Sequence, residues 1–108
     1  MGFGLVVRFT AHDAEAAAAF DALAAETLPG IQEEPGTLIY ISHEVPDEPA
    51  VRVFYELYVD REAFEEHEAQ PHVRRFLAER EQYLATVEVT FLHGRTGKGL
   101  PQAGRETG

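Results

Sequence analysis

The sequence predicts a single α+β domain whose elements follow one another as β-α-β-β-α-β. Four runs rich in β-branched and aromatic residues are interrupted by two amphipathic helical patterns. This order is that of the ferredoxin-like plan, a four-stranded antiparallel sheet with both helices on one face. The chain has 108 residues, of which 44% are hydrophobic and 26% charged, as is typical of one globular domain.

The chain begins with a strand and a helix. GLVVRF predicts a strand from about Phe3 to Thr10. Asp13 suits the N-cap of the helix that follows, and Pro29-Gly30 is expected to end this helix or to bend its exit. One face of the helix is apolar and contains Ala16, Phe20, Leu23 and Ala24.

Two strands come next. EEPGT (33–37) has the composition of a turn and leads into a strand over residues 37–45. PDEPA (46–50) is expected to form a loop, and residues 51–59 predict the third strand.

The second helical region is interrupted. Asp60 is expected to cap a helix over residues 61–69, Pro71 breaks the pattern, and residues 72–84 resume it. A fourth strand is predicted over residues 86–93. The remaining fifteen residues include five glycines, so we expect a domain over residues 1–93 and a flexible basic tail over 94–108.

The predicted sheet is apolar on both faces. In the third strand, for example, Val53, Tyr55 and Leu57 alternate with Phe54 and Tyr58, so neither face is polar. Two helices cover one face of a sheet. We therefore expect a second copy of the chain to cover the other face, as a homodimer formed sheet against sheet.

The charge of the chain argues against nucleic acid as a partner. The net charge is −10, and because the last fifteen residues carry +2, residues 1–93 carry −12. Such a surface repels phosphate backbones. No apolar run is long enough to span a bilayer and the N-terminus does not resemble a secretory signal, so we expect no membrane association and a cytoplasmic location.

Among the five histidines, His67 stands out. It shares a face of the predicted helix with Ala63 and Phe64, while the glutamates of that helix lie mostly around the other side. A histidine on a buried helical face is either a packed core residue or lines a cavity, and the residue pattern alone favours the core. His67 and His72 lack the i, i+4 spacing of a helical metal pair, so no metal site is predicted.

Glu56 is a carboxylate within an aromatic strand. Its simplest interpretation is an ion pair with Arg8 or Arg52 from neighbouring strand positions. The alternative is a carboxyl group with a raised pKa, or one that orients an imidazole.

Several short motifs resemble the antibiotic biosynthesis monooxygenase family. They are Pro35-Gly36-Thr37 with Tyr40, Glu56 with Tyr58, and a helix in which Ala63-Phe64 is followed by His67, His72 and Phe76. The order of the elements agrees with the family over residues 3–93. The family consists of dimeric α/β barrels, in agreement with the two-faced sheet.

The resemblance implies a reaction. Better-studied members oxidise phenolic polyketides or quinols with molecular oxygen and without flavin, haem or metal, so no cofactor is expected and the partner is a small aromatic substrate. His67 would be the catalytic base or would stabilise the phenolate, because imidazole exchanges protons near neutral pH. The implied substrate-binding residues are Tyr40, Glu56, Tyr58, Phe64, His72 and Phe76.

The chain also departs from the family pattern. Tyr58 stands where the family often has tryptophan, and the asparagine and tryptophan of haem-degrading relatives are missing, so haem degradation is not expected. Two alternatives remain open at this point. One is a non-catalytic dimeric barrel that binds a small ligand, and the other is a polyketide cyclase on the same fold.

Overall fold

The computed structural model describes residues 2–100 and contains four strands and three α-helices. A short 3₁₀ turn, Arg80–Gln82, precedes the last strand. No helix in residues 2–100 is long and apolar enough to cross a membrane. In chain order the elements are β1 (Phe3–Ala11), α1 (Ala14–Gln32), β2 (Thr37–Val45), β3 (Glu48–Tyr58), α2 (Arg61–Ala69), α3 (Pro71–Glu79) and β4 (Leu84–His93).

The four strands form one antiparallel sheet in the order β2-β3-β1-β4. The long connections through the helices place β1 between β3 and β4. This topology confirms the predicted ferredoxin-like fold.

Aspartates start two of the helices, as predicted. The Asp13 carboxylate accepts a hydrogen bond from the backbone N–H of Ala16 at 2.7 Å, and that of Asp60 accepts one from Ala63 at 2.8 Å. Each satisfies a backbone donor that the first turn of a helix leaves free. Pro71 begins α3, where its missing N–H costs nothing.

Pro29-Gly30 does not end α1, because the helix continues to Gln32 with Pro29 inside it. Pro29 removes one hydrogen bond to the carbonyl of Ala25. Both residues are on the exposed side of α1, so water can satisfy that carbonyl.

Two other boundaries need correction. The predicted PDEPA loop shrinks to Pro46-Asp47, since β3 already begins at Glu48 and Asp47 takes the left-handed φ of 69° that this two-residue turn requires. The helical pattern predicted over residues 72–84 ends at Glu79, and β4 begins at Leu84, two residues earlier than expected.

The core lies between the sheet and the helices. Phe9 of β1 packs against Phe20 of α1 and Phe54 of β3, with ring centroids 4.8 and 4.9 Å away. Phe76 of α3 closes the same group at 5.6 Å from Phe20. Odd-numbered residues of β1 and even-numbered residues of β3 therefore face the helices, and Glu56 is on this face.

Strand β4 is poorly covered. Val87, Val89 and Phe91 pair with the odd-numbered residues of β1 and face the helix side, yet they are 39%, 47% and 56% exposed. Ile41 and Leu92 are exposed on the opposite face. Residues 94–100 form no helix or strand, and the rest of the predicted tail, 101–108, lies outside the described residues.

Candidate active site

A cavity of about 150 Å³ lies between the sheet and helices α2 and α3. Aliphatic and aromatic side chains form most of its wall, with the exposed Val89 and Phe91 on the β4 side. We call it the apolar cavity. Its polar lining residues are Tyr40, Glu56, His67, Glu68 and Arg80.

Glu56 and Tyr40 reach the apolar cavity from paired positions of β3 and β2. Glu56 is 6% exposed and accepts a hydrogen bond from the hydroxyl of Tyr58 at 2.6 Å. Tyr58 is fully buried behind Glu56 and does not line the cavity. Every buried side-chain nitrogen and oxygen in residues 2–100 has a partner. The Tyr40 hydroxyl makes no bond within these residues, so it is accessible from the cavity.

Burial controls the proton affinity of these groups. Desolvation raises the pKa of Glu56 to about 7, against the lowering effect of the Tyr58 hydrogen bond. Burial likewise raises the pKa of Tyr40 and of Tyr58 well above the ordinary range. Near neutral pH the two tyrosines therefore remain hydrogen-bond donors, whereas Glu56 is poised between its two protonation states.

The ion pair predicted for Glu56 is wrong. Arg8 pairs with Glu48 at 2.9 Å and Arg52 pairs with Asp21 at 2.8 Å. Arg8 pairs with Val53 and therefore lies on the opposite face of the sheet from Glu56. Arg52 shares the face of Glu56 but lies further along β3, opposite Phe9. The raised pKa favours the alternative interpretation of Glu56.

His67 is both packed and next to cavities. Its side chain is 5% exposed, and its ring lies 5.1 Å from that of Tyr58 and 5.7 Å from that of Tyr40. The Nδ1 atom is 2.7 Å from Oε1 of Glu34. Because the two nitrogens of an imidazole point in diverging directions, Nε2 faces away from Glu34.

Glu34 joins three side chains. Besides His67, its Oε1 accepts the hydroxyl of Thr37 at 2.6 Å, and its Oε2 lies 2.5 Å from Nε2 of His72. His72 does not line the apolar cavity. It lines a second cavity of about 290 Å³, the polar cavity, to which Glu33 and Glu66 also contribute.

Two glycines allow this arrangement. A Cβ atom at Gly36 would lie 2.5 Å from Cβ of Ala63, so the turn carrying Glu34 approaches α2 as closely as backbone permits. A Cβ atom at Gly30 would lie 2.6 Å from the His72 ring. The backbone N–H of Val59 also donates to the carbonyl of Gly36 at 3.0 Å, which ties the turn to the end of β3.

Arg80 is the cation of the apolar cavity. Its guanidinium carbon lies 5.3 Å from the ring centroid of Phe9 and 5.8 Å from that of Phe76. Burial lowers the pKa of Arg80, and the neighbouring Tyr40 and Glu56 partly oppose this effect. Within residues 2–100 it forms no ion pair.

The structure brings most of the predicted site residues together. Tyr40, Glu56, Phe64, His67 and Phe76 line the apolar cavity. Two of the residues near His67 escaped the sequence analysis: Glu34 belongs to a turn that resembles any exposed acidic turn, and Arg80 belongs to a mixed-charge helix end. No group of three or more histidine, cysteine, aspartate or glutamate residues in residues 2–100 is arranged to hold a metal ion.

Comparison with solved structures supports the fold. The Rv0793 protein of Mycobacterium tuberculosis is 26% identical, with a TM-score of 0.83 over 92% of this chain and 100% of that one. PA3566 of Pseudomonas aeruginosa is 25% identical, with a TM-score of 0.77 over 88% and 95% of the two chains. SnoaB of Streptomyces nogalater, a cofactor-independent oxygenase, is 23% identical, with a TM-score of 0.78 over 91% and 97%. Curated protein sequences give no match.

The family profile covers most of the chain. The profile described as antibiotic biosynthesis monooxygenase matches residues 2–79, which include β1 to α3 and all the groups around Glu34 and His67. The resemblance read from the short motifs is thereby confirmed. This chain belongs to the antibiotic biosynthesis monooxygenase family.

Proposed function

We propose that this protein is a cofactor-independent monooxygenase that oxidises a small aromatic quinol or phenol with molecular oxygen. The observation that carries the proposal is His67, a nearly buried imidazole between an apolar cavity and the Glu34 carboxylate. Membership of the family and the likeness to an oxygenase fold support the same reaction class.

The substrate itself supplies the electrons. When a hydroquinone reacts with one molecule of oxygen, one oxygen atom enters the ring, giving a hydroxyquinone, and the other leaves as water. The ring gives up four electrons, two in forming the quinone and two in forming the new carbon–oxygen bond. Molecular oxygen takes up those four electrons, so the overall reaction needs no external reductant.

His67 is the proposed base. Its Nε2 atom takes the proton of the substrate hydroxyl, and the resulting phenolate is electron-rich enough to pass an electron to oxygen. Tyr40 donates a hydrogen bond to a substrate oxygen, since its raised pKa keeps its hydroxyl protonated. Glu56 polarises the same end of the cavity, and Phe64 and Phe76 pack on the faces of the ring.

The size of the apolar cavity favours a small substrate. A cavity of about 150 Å³ holds a molecule the size of benzene. A single-ring hydroquinone therefore fits better than a fused polyketide, which would have to extend past Val89 and Phe91. Tyr58 and His72 do not line the apolar cavity, and in this proposal their effect is indirect. Tyr58 acts through its hydrogen bond to Glu56, and His72 acts through its contact with Glu34.

The second copy of the chain completes the proposed assembly. Ile41 and Leu92 expose apolar surface on the face of the sheet away from the helices, and Val6, Val53 and Tyr55 share that face. Covering it with the same face of another subunit removes this surface from water. We therefore propose a homodimer through the sheet, with the domain over residues 1–93 as its unit.

Oxygen uptake tests the proposal. Purified protein is offered single-ring hydroquinones and larger anthrone-type phenols in an oxygen electrode, and ¹⁸O₂ is used to count the atoms that enter the product. We expect uptake with the small quinols, one labelled atom in each product molecule, and no loss of rate after dialysis against a chelator.

His67→Ala is the decisive variant, and His12→Ala is its control because His12 is exposed and does not line the cavity. We expect His67→Ala to lose roughly a hundredfold or more in kcat. Failure of folded wild type to consume oxygen with any quinol, or an unchanged rate in His67→Ala, would contradict the proposal.

A further inference from the structure

Glu34 is a carboxylate in an unusual setting. Its side chain is 10% exposed, and within residues 2–100 it has no arginine or lysine partner. Burying a carboxylate without a fixed positive charge is unfavourable unless hydrogen bonds satisfy its oxygens. Here those bonds come from the Thr37 hydroxyl and from one nitrogen of each of two imidazoles.

These contacts determine where the hydrogens are. An ionised carboxylate accepts hydrogen bonds and donates none. His67 must therefore carry a hydrogen on Nδ1, and His72 must carry one on Nε2. A neutral imidazole has one N–H and one bare nitrogen, so in neutral His67 the bare nitrogen is Nε2.

We propose that Glu34 is the positioning residue of His67. It selects the imidazole form whose bare nitrogen points away from Glu34, on a ring that lines the apolar cavity, and it stabilises the positive charge that forms when His67 takes a proton. This inference rests on the proposed function, because it assigns a purpose to Glu34 in that proton transfer. The arrangement is the one by which a buried carboxylate orients the histidine of a catalytic triad.

The proton transfer balances without a change at Glu34. The oxygen–hydrogen bond of the substrate breaks, a nitrogen–hydrogen bond forms at Nε2, and the electron pair stays on the substrate oxygen. His67 becomes an imidazolium with hydrogens on both nitrogens, and Glu34 remains a carboxylate 2.7 Å from Nδ1. The charge generated in the core is thus neutralised by an immediate neighbour.

His72 and Thr37 hold Glu34 in place from two directions. His72 is 27% exposed and approaches from the polar cavity, with its ring packed on Gly30. Thr37 approaches from the first residue of β2. With both partners bound, the carboxylate has little freedom to turn away from His67, which is what a positioning residue requires.

The test measures the protonation of the His67 ring directly. Uniformly ¹⁵N-labelled protein is studied by NMR at about pH 8, above the ordinary pKa of imidazole, and the His67 signals are assigned by their loss in His67→Gln. We expect Nδ1 of wild-type His67 to carry the hydrogen and Nε2 to be bare. In Glu34→Ala no acceptor remains for the Nδ1 hydrogen, so the hydrogen is expected to shift towards Nε2.

Kinetics supply the second readout. Glu34→Ala is expected to lower kcat roughly a hundredfold while KM changes by less than about threefold, because Glu34 does not line the apolar cavity. Glu33→Ala is the matched control, since Glu33 is the neighbouring residue and lines the polar cavity. Its tautomer and rate should equal those of wild type.

The outcomes separate this inference from the proposed function. A wild-type His67 with the hydrogen on Nε2, or a Glu34→Ala variant with an unchanged tautomer, overturns the role of Glu34 whether or not the protein consumes oxygen. If wild type fails to consume oxygen while the Glu34-dependent tautomer is observed, the positioning role stands and only the oxygenase reaction is refuted. Should Glu34→Ala fold poorly, Glu34→Asp withdraws the carboxylate by one methylene and should still shift the tautomer balance towards Nε2–H.

Discussion

The Tyr58 hydroxyl donates to the Glu56 carboxylate across 2.6 Å, and neither side chain is more than 6% exposed. This bond lowers the pKa of Glu56, but burial raises it more, so the result is a pKa of about 7 in place of the ordinary 4.5. The site thus contains a carboxyl group that changes its charge near neutral pH, in the same cavity as the imidazole of the proposed base.

The raised pKa of Glu56 predicts a pH-dependent stability. Between pH 4.5 and pH 7 the folded protein keeps a proton on Glu56 that the unfolded chain releases. The free energy of unfolding therefore falls as the pH rises through this window, by up to about 3 kcal/mol from this group. Outside the window Glu56 contributes no pH dependence.

Glu56→Gln isolates that contribution. The amide keeps an acceptor for Tyr58 but does not ionise. We expect its free energy of unfolding, measured by urea denaturation, to match wild type near pH 4.5 and to exceed it by a few kcal/mol at pH 8. Glu44→Gln, at an exposed position of β2, should show no such growing difference. A difference between Glu56→Gln and wild type that stays constant with pH would contradict the raised pKa.

The contact between Gly36 and Ala63 predicts a coupled pair of mutations. Gly36→Ala places a Cβ atom 2.5 Å from Cβ of Ala63 and must push α2 away from the turn that carries Glu34. We expect a loss of about 1–3 kcal/mol in the free energy of unfolding. Ala63→Gly alone should cost about 1 kcal/mol through its lower helix propensity.

Combining the two mutations tests whether the clash is the cause. The double variant Gly36→Ala/Ala63→Gly removes the opposing Cβ atom, so its loss of stability should be smaller than the sum of the single losses. Thermal and urea unfolding of the four proteins give this difference. Strict additivity would indicate that the loss in Gly36→Ala does not come from the contact with Ala63.

The two apolar sheet faces predict a self-associating chain. Wild type is expected to sediment as a dimer at micromolar concentration, and Ile41→Glu to sediment as a monomer because it places a charge on the face proposed to be covered. Ala22→Glu, on the exposed side of α1, is the control and should remain dimeric. A wild type that sediments as a monomer would contradict the proposed homodimer through the sheet.

Periodicity sufficed for most of the fold. The alternation of Phe54, Glu56 and Tyr58 with Val53, Tyr55 and Leu57 identifies a strand with two buried faces, and the registers of the sheet agree. The alternation in the sequence could not reveal which face of the sheet packs against the helices, because the answer depends on how β3 pairs with β1. The end of α1 could not be placed from the sequence for a related reason. Whether Pro29 can be accommodated inside a helix depends on which side of the helix faces water.

The site was less accessible to sequence reasoning. His67 was found because it shares a helical face with Ala63 and Phe64. Glu34 is 33 positions earlier in the chain, and its contact with His67 exists because Gly36 lets the turn approach α2. The sequence signal is an acidic pair followed by proline, glycine and threonine, and without knowledge of the tertiary contact this pattern is the same as that of a solvated turn.

Arg80 predicts an electrostatic effect on Glu56. Its guanidinium group acts on the Glu56 carboxyl to lower the pKa that burial raises. Removing the charge in Arg80→Gln should therefore raise the pKa of Glu56 further above 7, as measured from the pH dependence of its side-chain carboxyl ¹³C signal.

Arg74→Gln is the matched control, because Arg74 is an exposed residue of α3 and does not line the cavity. The Glu56 titration should be the same in this variant as in wild type. In Arg80→Gln the protonated form of Glu56 should persist to higher pH. If the protonation of Glu56 affects kcat in the oxygen-uptake assay, the pH profile of kcat should therefore shift to higher pH, as the NMR titration does. A Glu56 titration that does not move in Arg80→Gln would mean that water screens the cavity well enough to uncouple the two groups.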